Sequence, residues 1–221
     1  MGLVGGLGVG ATVHYYEKLA RAHEAQGRTL DIAIVHAETS RVFEFVQAGD
    51  SGGLAEYLNG FIRRLEAAGA EAAAIPAVTP HYCVRELIAT SPLRVFNIFE
   101  PLAVELAARA VRRAAVFGTR FVMESALFGM IEKVEFVRPK PEEMESIHGT
   151  YVELARQGRG SVEQHRSLTA LAHKLLSRDK IDAIILAGTD LALIFDDSNT
   201  DFPSIDCAAL HLRAILNGLL S

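Results

Sequence analysis

The sequence is poor in the features that mark several large classes of protein. It has only two cysteines, Cys83 and Cys207, in no CxxC pair and no Cys/His spacing typical of zinc, so neither a disulfide framework nor a metal site is expected. Its 22 basic residues against 27 acidic ones give a formal charge of −5. Without a basic excess or a Lys/Arg run, nucleic acid is not expected as a partner.

Long apolar stretches are also missing, since no run reaches the roughly 18 residues needed to cross a bilayer, and no membrane partner is expected. The segment Met1–Gly10 lacks a basic region and is too rich in glycine for a signal-peptide core, which favours a cytoplasmic location. What the chain does have is 221 residues, half of them hydrophobic. That is enough for a substantial core in one large or two small α/β domains.

Short apolar runs alternate along the chain with amphipathic stretches of helical spacing. The predicted strands are Leu3–Gly6, Leu30–His36, Ala72–Pro76, Arg94–Ile98, Ala114–Gly118, Val134–Arg138 and Ile181–Ala187. The predicted helices are Ala11–Ala25, Leu54–Ala68, Cys83–Ala89, Pro101–Arg113, Val122–Ile131, Glu142–Ala155, Val162–Leu176 and Cys207–Leu220. Strands interleaved with helices predict the α/β fold class, with parallel sheets and right-handed crossovers.

This pattern repeats at the scale of half the chain. Leu3–Gly6 opens one half and Ala114–Gly118 opens the other, and each half later reaches a buried strand followed by a threonine, Thr79 or Thr189. Ligands of parallel sheets bind beyond the carboxyl ends of the strands, so both threonines are expected to face one cleft.

Two pseudo-symmetric lobes would explain the repeat. Residues 1–98 with 205–221 are expected to form the first lobe, and residues 99–204 the second. No low-complexity linker separates them, which favours lobes that pack closely.

The glycine-rich start, Gly5-Gly6-Leu7-Gly8-Val9-Gly10, invites comparison with a dinucleotide-binding loop. That fingerprint needs G-x-G-x-x-G after a full strand, and the final spacing here is wrong, so no nicotinamide cofactor is expected. The segment is interpreted as a tight turn whose backbone N–H groups approach an anionic ligand, with Gly6 and Leu7 as contact residues.

Five ordered segments, spread over the whole chain, resemble the aspartate/glutamate racemase family. They are Gly2–Leu7 followed by Tyr15-Tyr16, the loop Thr79-Pro80-His81, Phe117–Met123, Gly188-Thr189-Asp190, and Asp206–His211. The resemblance implies two α/β lobes that bind a small carboxylic or amino dicarboxylic acid between them. It also implies racemisation without pyridoxal phosphate or metal, in which one residue removes the α-proton and its counterpart returns a proton on the other face. Family members often dimerise, so a second copy of the chain is a candidate partner.

The sequence departs from the family pattern at both reactive positions. Ala77-Val78-Thr79 stands where the family usually has Cys-Asn-Thr or Thr-Asn-Thr. Ala187-Gly188-Thr189-Asp190 stands where it usually has Gly-Cys-Thr-Glu. Ala77 and Gly188 therefore leave both catalytic slots empty, and the ordinary two-thiol mechanism is absent.

Three other side chains are candidates for acid/base catalysis, and each also has a plain structural interpretation. Asp190 follows the second loop, where an aspartate often caps the next helix. His81 follows the first loop and could instead hydrogen-bond the loop backbone. His211 lies about one turn inside the last helix, where Asp206 could orient its ring.

The remaining candidates would bind substrate. Thr79 and Thr189 carry hydroxyls that can orient carboxylate oxygens, and Thr119 adds a hydroxyl beside backbone amides. Arg41, after the second strand, either clamps a carboxylate or is a solvated surface residue. Cys207 stands where the family has Ser or Thr near the ligand, although buried packing is more usual for cysteine.

Three functions remain open. The favoured one is a cofactor-independent, aspartate/glutamate-like racemase that acts at the carbon next to a carboxylate with altered acid/base residues. The second is a lyase or decarboxylase, or a cis/trans isomerase, because related family members isomerise maleate and decarboxylate arylmalonates. The third is a catalytically inert protein that binds a small acid.

Overall fold

The computed structural model describes residues 1–220, apart from the side chains of Ala126 and Met130. The chain forms two compact units: residues 1–97 with the segment from residue 211 onward, and residues 98–210. The division proposed from the sequence has its junctions at 98/99 and 204/205, and its last residue, Ser221, lies outside the described part. Within residues 1–220, no helix combines the length and apolar character needed to cross a membrane.

The elements alternate along both units. The strands are β1 (Gly2–Gly5), β2 (Ala33–His36), β3 (Ala72–Ala74), β4 (Arg94–Phe96), β5 (Arg113–Phe117), β6 (Glu135–Phe136), β7 (Ala183–Leu186) and β8 (Ser204–Asp206). The α-helices are α1 (Val9–Ala25), α2 (Thr39–Ala48), α3 (Ser51–Ala67), α4 (Val84–Thr90), α5 (Phe99–Ala108), α6 (Arg120–Glu124), α7 (Pro141–Gln157), α8 (Val162–Asp179) and α9 (Cys207–Leu220). Short 3-10 helices lie at Thr79–Cys83, Ala126–Met130 and Thr189–Leu193.

Each unit contains one four-stranded parallel sheet, and the two sheets have the same strand order. The order is β2-β1-β3-β4 in the first unit and β6-β5-β7-β8 in the second. In register, Leu3 lies opposite both Ile34 and Ala74, and Ile185 lies opposite Val116. The α/β fold class, with two parallel-sheet lobes and flanking helices, is thereby confirmed.

Helix α3 shows how a helical pattern builds the first unit. Its buried residues at helical spacing are Leu54, Leu58, Ile62 and Leu65. Burial of each contributes about 1.5–3 kcal/mol. The helix starts where the Asp50 carboxylate accepts a hydrogen bond from the Gly53 N–H at 2.8 Å. A Cβ on Gly2 would lie 2.8 Å from Leu65 Cδ1, so glycine in β1 allows the close approach of this helix.

In the second unit, β7 is buried along its whole length. Helices α7 and α8 cover the sheet with fully buried side chains, among them Ile147 and Leu154 from α7 and Leu168 and Leu175 from α8. The loop that follows β7 consequently starts inside the protein and not at its surface.

Local predictions failed where apolar spacing was weak. The helix predicted at Pro101–Arg113 ends at Ala108, because Ala110 has φ 53° and Arg113 already begins β5. Helix α2 and strand β8 were not predicted.

Candidate functional site

Corresponding loops follow the third strand of each half, β3 and β7. Residues 75–78 lead into the 3-10 helix Thr79–Cys83, and residues 187–188 lead into the 3-10 helix Thr189–Leu193. In both, the N–H two residues after the threonine donates to the carbonyl just before it, at 3.0 Å in the first loop and 2.8 Å in the second. Both threonines are buried. The internal repeat therefore extends to the local geometry of the loops.

His81 holds the first loop from inside. Its Nδ1–H donates to the carbonyl of Ala77, the residue in the first empty slot, at 2.8 Å. Its ring packs edge-to-face on His211, with centroids 5.9 Å apart and planes at 85°. Burial disfavours the imidazolium and lowers the pKa of His81 to about 4, so the ring is neutral at physiological pH.

His211 is tied into the same cluster through both ring nitrogens. Its Nε2–H donates to the Phe96 carbonyl at 2.9 Å, which leaves Nδ1 as an acceptor for the Tyr15 hydroxyl at 3.1 Å. Burial, followed by the neighbouring His81, lowers the pKa of His211 to about 3. Both nitrogens are thus engaged within the first unit.

Asp206, expected as a partner of the His211 ring, caps the start of α9 instead. One carboxylate oxygen accepts from the Ala208 N–H at 2.7 Å and from the Ala209 N–H at 3.2 Å. The adjacent Cys207 is 1% exposed, and burial together with the Asp206 charge raises the pKa of its thiol. The residue is therefore a protonated thiol at neutral pH.

The second loop carries a buried polar cluster. The Tyr151 hydroxyl, from α7, donates to Asp190 Oδ2 at 3.0 Å and is also hydrogen-bonded to Thr189. Burial, and then the charge of Asp190, raise the pKa of the Tyr151 phenol, so it stays protonated. The Tyr151 ring also fills the space beside Gly188, the second empty slot. Asp190 thus has a phenol as its neighbour, and it lies inside the 3-10 helix that begins at Thr189.

Thr119 and Arg120 form the start of helix α6. The Thr119 hydroxyl oxygen accepts from the Val122 N–H at 3.2 Å, which makes it the N-cap. The following N–H, of Arg120, donates to His148 Nδ1 at 3.2 Å. The groups expected to bind substrate here have hydrogen-bond partners within the second unit.

Gly6 and Leu7 form a tight turn after β1, as expected from the glycine-rich start. Gly6 has φ 86°, its N–H donates to Thr12 Oγ1 at 3.2 Å, and its carbonyl accepts from the Thr39 hydroxyl at 3.0 Å. A Cβ at Gly6 would lie 2.3 Å from the Ala37 carbonyl oxygen, so only glycine fits. Leu7 is buried.

Arg41 lies in the first turn of α2, with 52% of its side chain exposed. It forms an ion pair with Glu44 and lies 5.4 Å from the centroid of the Phe45 ring. An exposed ion pair of this kind contributes about 0–1 kcal/mol to stability, so little free energy is lost if Arg41 binds another anion in place of Glu44.

The sequence did not reveal the contacts of two tyrosines: Tyr15, noted only as part of a family segment, bonds His211, and Tyr151, not singled out at all, bonds Asp190. Each lies on an amphipathic helix at a position that looks like ordinary core. One signal was available for Tyr151: a glycine in a slot where the family carries a side chain leaves room for another residue. Among residues 1–220, no group of three or more His, Cys, Asp or Glu is arranged to hold a metal.

Two parallel-sheet units of equal strand order, each with a threonine-led loop after its third strand, define the two-lobed racemase fold. The sequence matches the model of the Asp/Glu/hydantoin racemase family over residues 4–215. The chain belongs to this family, which confirms the resemblance found in its motifs.

Solved structures share the fold at low sequence identity. An aspartate racemase homologue from Pyrococcus horikoshii matches with TM-score 0.80 and 22% identity, over 100% of this chain and 98% of that one. A glutamate racemase from Francisella tularensis in complex with D-glutamate matches with TM-score 0.64 and 14% identity, over 99% and 80%. A maleate cis-trans isomerase from Nocardia farcinica, with a covalently bound succinylcysteine intermediate, matches with TM-score 0.55 and 12% identity, over 99% and 91%.

Proposed function

We propose that the protein is a cofactor-independent isomerase that racemises a small amino dicarboxylate, of the aspartate or glutamate type, at the carbon next to a carboxylate. Family membership supports the reaction class. One local observation carries the rest: Asp190 is the only carboxylate in either loop, and it adjoins the hydroxyls of Tyr151 and Thr189. A base beside hydroxyl donors is what removal of an α-proton requires.

In this proposal, Asp190 removes the α-proton, and Thr79 and Thr189 are each assigned to substrate binding through their hydroxyls. Hydroxyl donors stabilise the enolate-like charge that develops. We assign proton return on the opposite face to a water molecule, because Ala77 offers no replacement for a thiol. The hydroxide that this leaves takes up, through solvent, the proton that Asp190 removed, which restores the carboxylate base. His81 and His211 are assigned to holding the first loop, since neutral imidazoles of such low pKa are weak bases.

We also propose that Arg41 exchanges Glu44 for a substrate carboxylate, and that Gly6, Leu7, Thr119 and Cys207 shape the surroundings of the ligand. A cytoplasmic location and a homodimer belong to the same proposal, as does activity without metal or pyridoxal phosphate.

A second function, binding of a small acid without turnover, is favoured by one specific observation. Asp190, His81 and His211 are each 0% exposed. Each also has a hydrogen-bonding partner inside its own unit. A site built only to bind would tolerate this arrangement.

Proton exchange at Cα separates the two functions. The wild-type protein is incubated in heavy water with each enantiomer of aspartate and glutamate, and loss of the Cα proton is followed by NMR. Exchange should occur with at least one of them. Asp190→Asn should slow it about 100-fold or more, since general bases contribute about 10²–10⁴-fold. Asp197→Asn, which alters an exposed carboxylate of the same unit, is the control and should leave the rate unchanged.

The same protein preparation is also assayed for cis/trans isomerisation and for decarboxylation. Product from maleate would favour cis/trans isomerisation, and product from a substituted malonate would favour a decarboxylase. Thermal stabilisation by a dicarboxylate without exchange or product would favour the binding function.

A further inference from the structure

The ring of Tyr151 occupies the place that a side chain at position 188 would need. A Cβ built on Gly188 would lie 2.2 Å from Cε2, 2.5 Å from Cδ2 and 3.0 Å from Cζ of that ring. Carbon atoms in contact lie about 3.5–4.0 Å apart. A side chain at position 188 and the present position of the Tyr151 ring therefore exclude each other.

The ring cannot simply swing away to make room. Tyr151 is 9% exposed and belongs to the core of the second unit, together with Phe117, Leu154, Leu186 and Leu191. Interiors are packed too densely for an aromatic ring to shift by more than an ångström without displacing its neighbours. The absence of a side chain at 188 is therefore a condition for this packing.

The position of the ring brings its hydroxyl to the functional loop. A carboxylate only accepts hydrogen bonds, so the phenol donates its proton to Asp190, and the Thr189 hydroxyl is its second partner. One hydroxyl thereby fixes the two loop residues that the proposed reaction uses.

We propose that Tyr151 is the positioning residue of the second loop, and that Gly188 is required because it admits the ring that holds Asp190 and Thr189 in one arrangement. This inference rests on the proposed function for the roles of Asp190 and Thr189, but the mutual exclusion of ring and side chain stands without it. A thiol introduced at position 188 would displace the group that organises the loop.

A double-mutant cycle tests the exclusion without any ligand. Gly188→Ala should lower Tm by about 3–10 °C, because overpacking of this kind destabilises and the domain is of moderate size. Combined with Tyr151→Ala, the same glycine change should lower Tm by no more than about 1 °C further, since the clashing ring is gone. Gly149→Ala is the control on α7, where a Cβ meets nothing within 4 Å, and should not lower Tm.

Tyr151→Phe tests the positioning role, because it keeps the ring and removes only the hydroxyl. We expect kcat for Cα exchange to fall about 10-fold or more with KM changed less than about 2-fold. The acid limb of the pH–rate profile should move to higher pH, since the substitution removes a hydrogen-bond donor to the Asp190 carboxylate. If Tyr151 had only a structural role, the substitution would lower Tm and the acid limb of the pH–rate profile would not move. Tyr16→Phe, at an exposed position, is the control.

The outcomes separate this inference from the function on which it rests. If the wild type exchanges no proton but a dicarboxylate raises its Tm, the racemase proposal fails alone, and loss of that rise in Tyr151→Phe still supports the inference. The inference is overturned if Gly188→Ala lowers Tm no more than Gly149→Ala does. It is also overturned if Tyr151→Phe keeps the wild-type kcat and acid limb, or if a dicarboxylate still raises the Tm of that variant as it does in the wild type. If no acid is turned over or bound at all, the positioning role of Tyr151 fails together with the racemase proposal, whereas the mutual exclusion of ring and side chain is still decided by the Tm values of the double-mutant cycle.

Discussion

The buried histidine pair of the first unit makes the protein sensitive to mild acid. The pKa of His81 is lowered to about 4 and that of His211 to about 3. An unfolded chain holds histidine near its ordinary pKa of about 6.5. Below that pH, the unfolded chain takes up protons that the folded protein excludes. The free energy of unfolding is therefore undiminished above about pH 6.5 and falls as the pH drops towards 4.

The size of the effect follows from these values. Each unit of pH below 6.5 removes about 1.4 kcal/mol per histidine until the folded pKa is approached. Between pH 7.5 and pH 5, His81 and His211 together should remove about 4 kcal/mol. Domains are commonly stable by only about 5–15 kcal/mol. Glu143, with its pKa lowered to about 2 beside Arg178, loses its contribution only as the pH falls through 4.5 and below, outside this window.

Urea unfolding followed by circular dichroism, at half-unit steps from pH 7.5 to 5, measures this slope. The variant His81→Asn with His211→Gln keeps an N–H for the Ala77 and Phe96 carbonyls but has no imidazole at either position. Between pH 7.5 and pH 5, the free energy of unfolding of this double variant should fall by about 4 kcal/mol less than that of the wild type. Tyr15→Phe is the control. Its free energy of unfolding should be lower than that of the wild type by about 1 kcal/mol at every pH and should change with pH as the wild type does.

Two results would refute this reasoning. The first is a wild-type protein whose stability changes by less than about 1 kcal/mol over the range. The second is a double variant that retains the full wild-type slope, which would place the titrating groups elsewhere. The half-buried His14 also has a lowered pKa and adds to the slope of every variant, so the difference between variants isolates the pair.

Two further predictions concern the turn after β1 and the thiols. Gly6→Ala should lower the free energy of unfolding by about 3 kcal/mol or more, because a Cβ would meet the Ala37 carbonyl oxygen. Gly27→Ala, at φ 64° with nothing within 4 Å, should lose only about 1 kcal/mol, and equal losses in urea would contradict the contact argument. The buried thiols of Cys83 and Cys207, whose pKa values are raised, should be alkylated by iodoacetamide at pH 8 roughly 100-fold more slowly in the folded protein than in urea, counted by mass spectrometry. Fast labelling of either folded thiol would show that burial does not protect it.

The α/β fold class could be predicted because most elements bury a continuous or periodic apolar pattern. Strand β7 is buried at every position, and its run stands out in the sequence. Helix α2 buries only Val42 and Val46, which is too narrow a stripe to recognise. Strand β8 is three residues long with only Ile205 fully buried, so it shows no usable period. Such elements form because their neighbours position them.

The sequence predicted which loops form the candidate site, but not which side chains contact one another there. The threonine-led segments stood out because they follow buried strands. The partners of His211 lie 196 and 115 residues away, at Tyr15 and Phe96, whereas local spacing pointed to Asp206. Tyr151 is likewise 39 residues from Asp190. Periodicity tells which residues share a face of one helix, but not which loop that face covers in the fold.

Helix α9 has a consequence for how the protein is made. It starts in the second unit and ends in the first, where His211 bonds the carbonyl of Phe96, a residue translated 115 positions earlier. Residues 98–210 have all left the ribosome before this helix can complete the first unit. The half that is synthesised first is therefore completed last, because it lacks the part of α9 from His211 onward until the whole of the other half has been made.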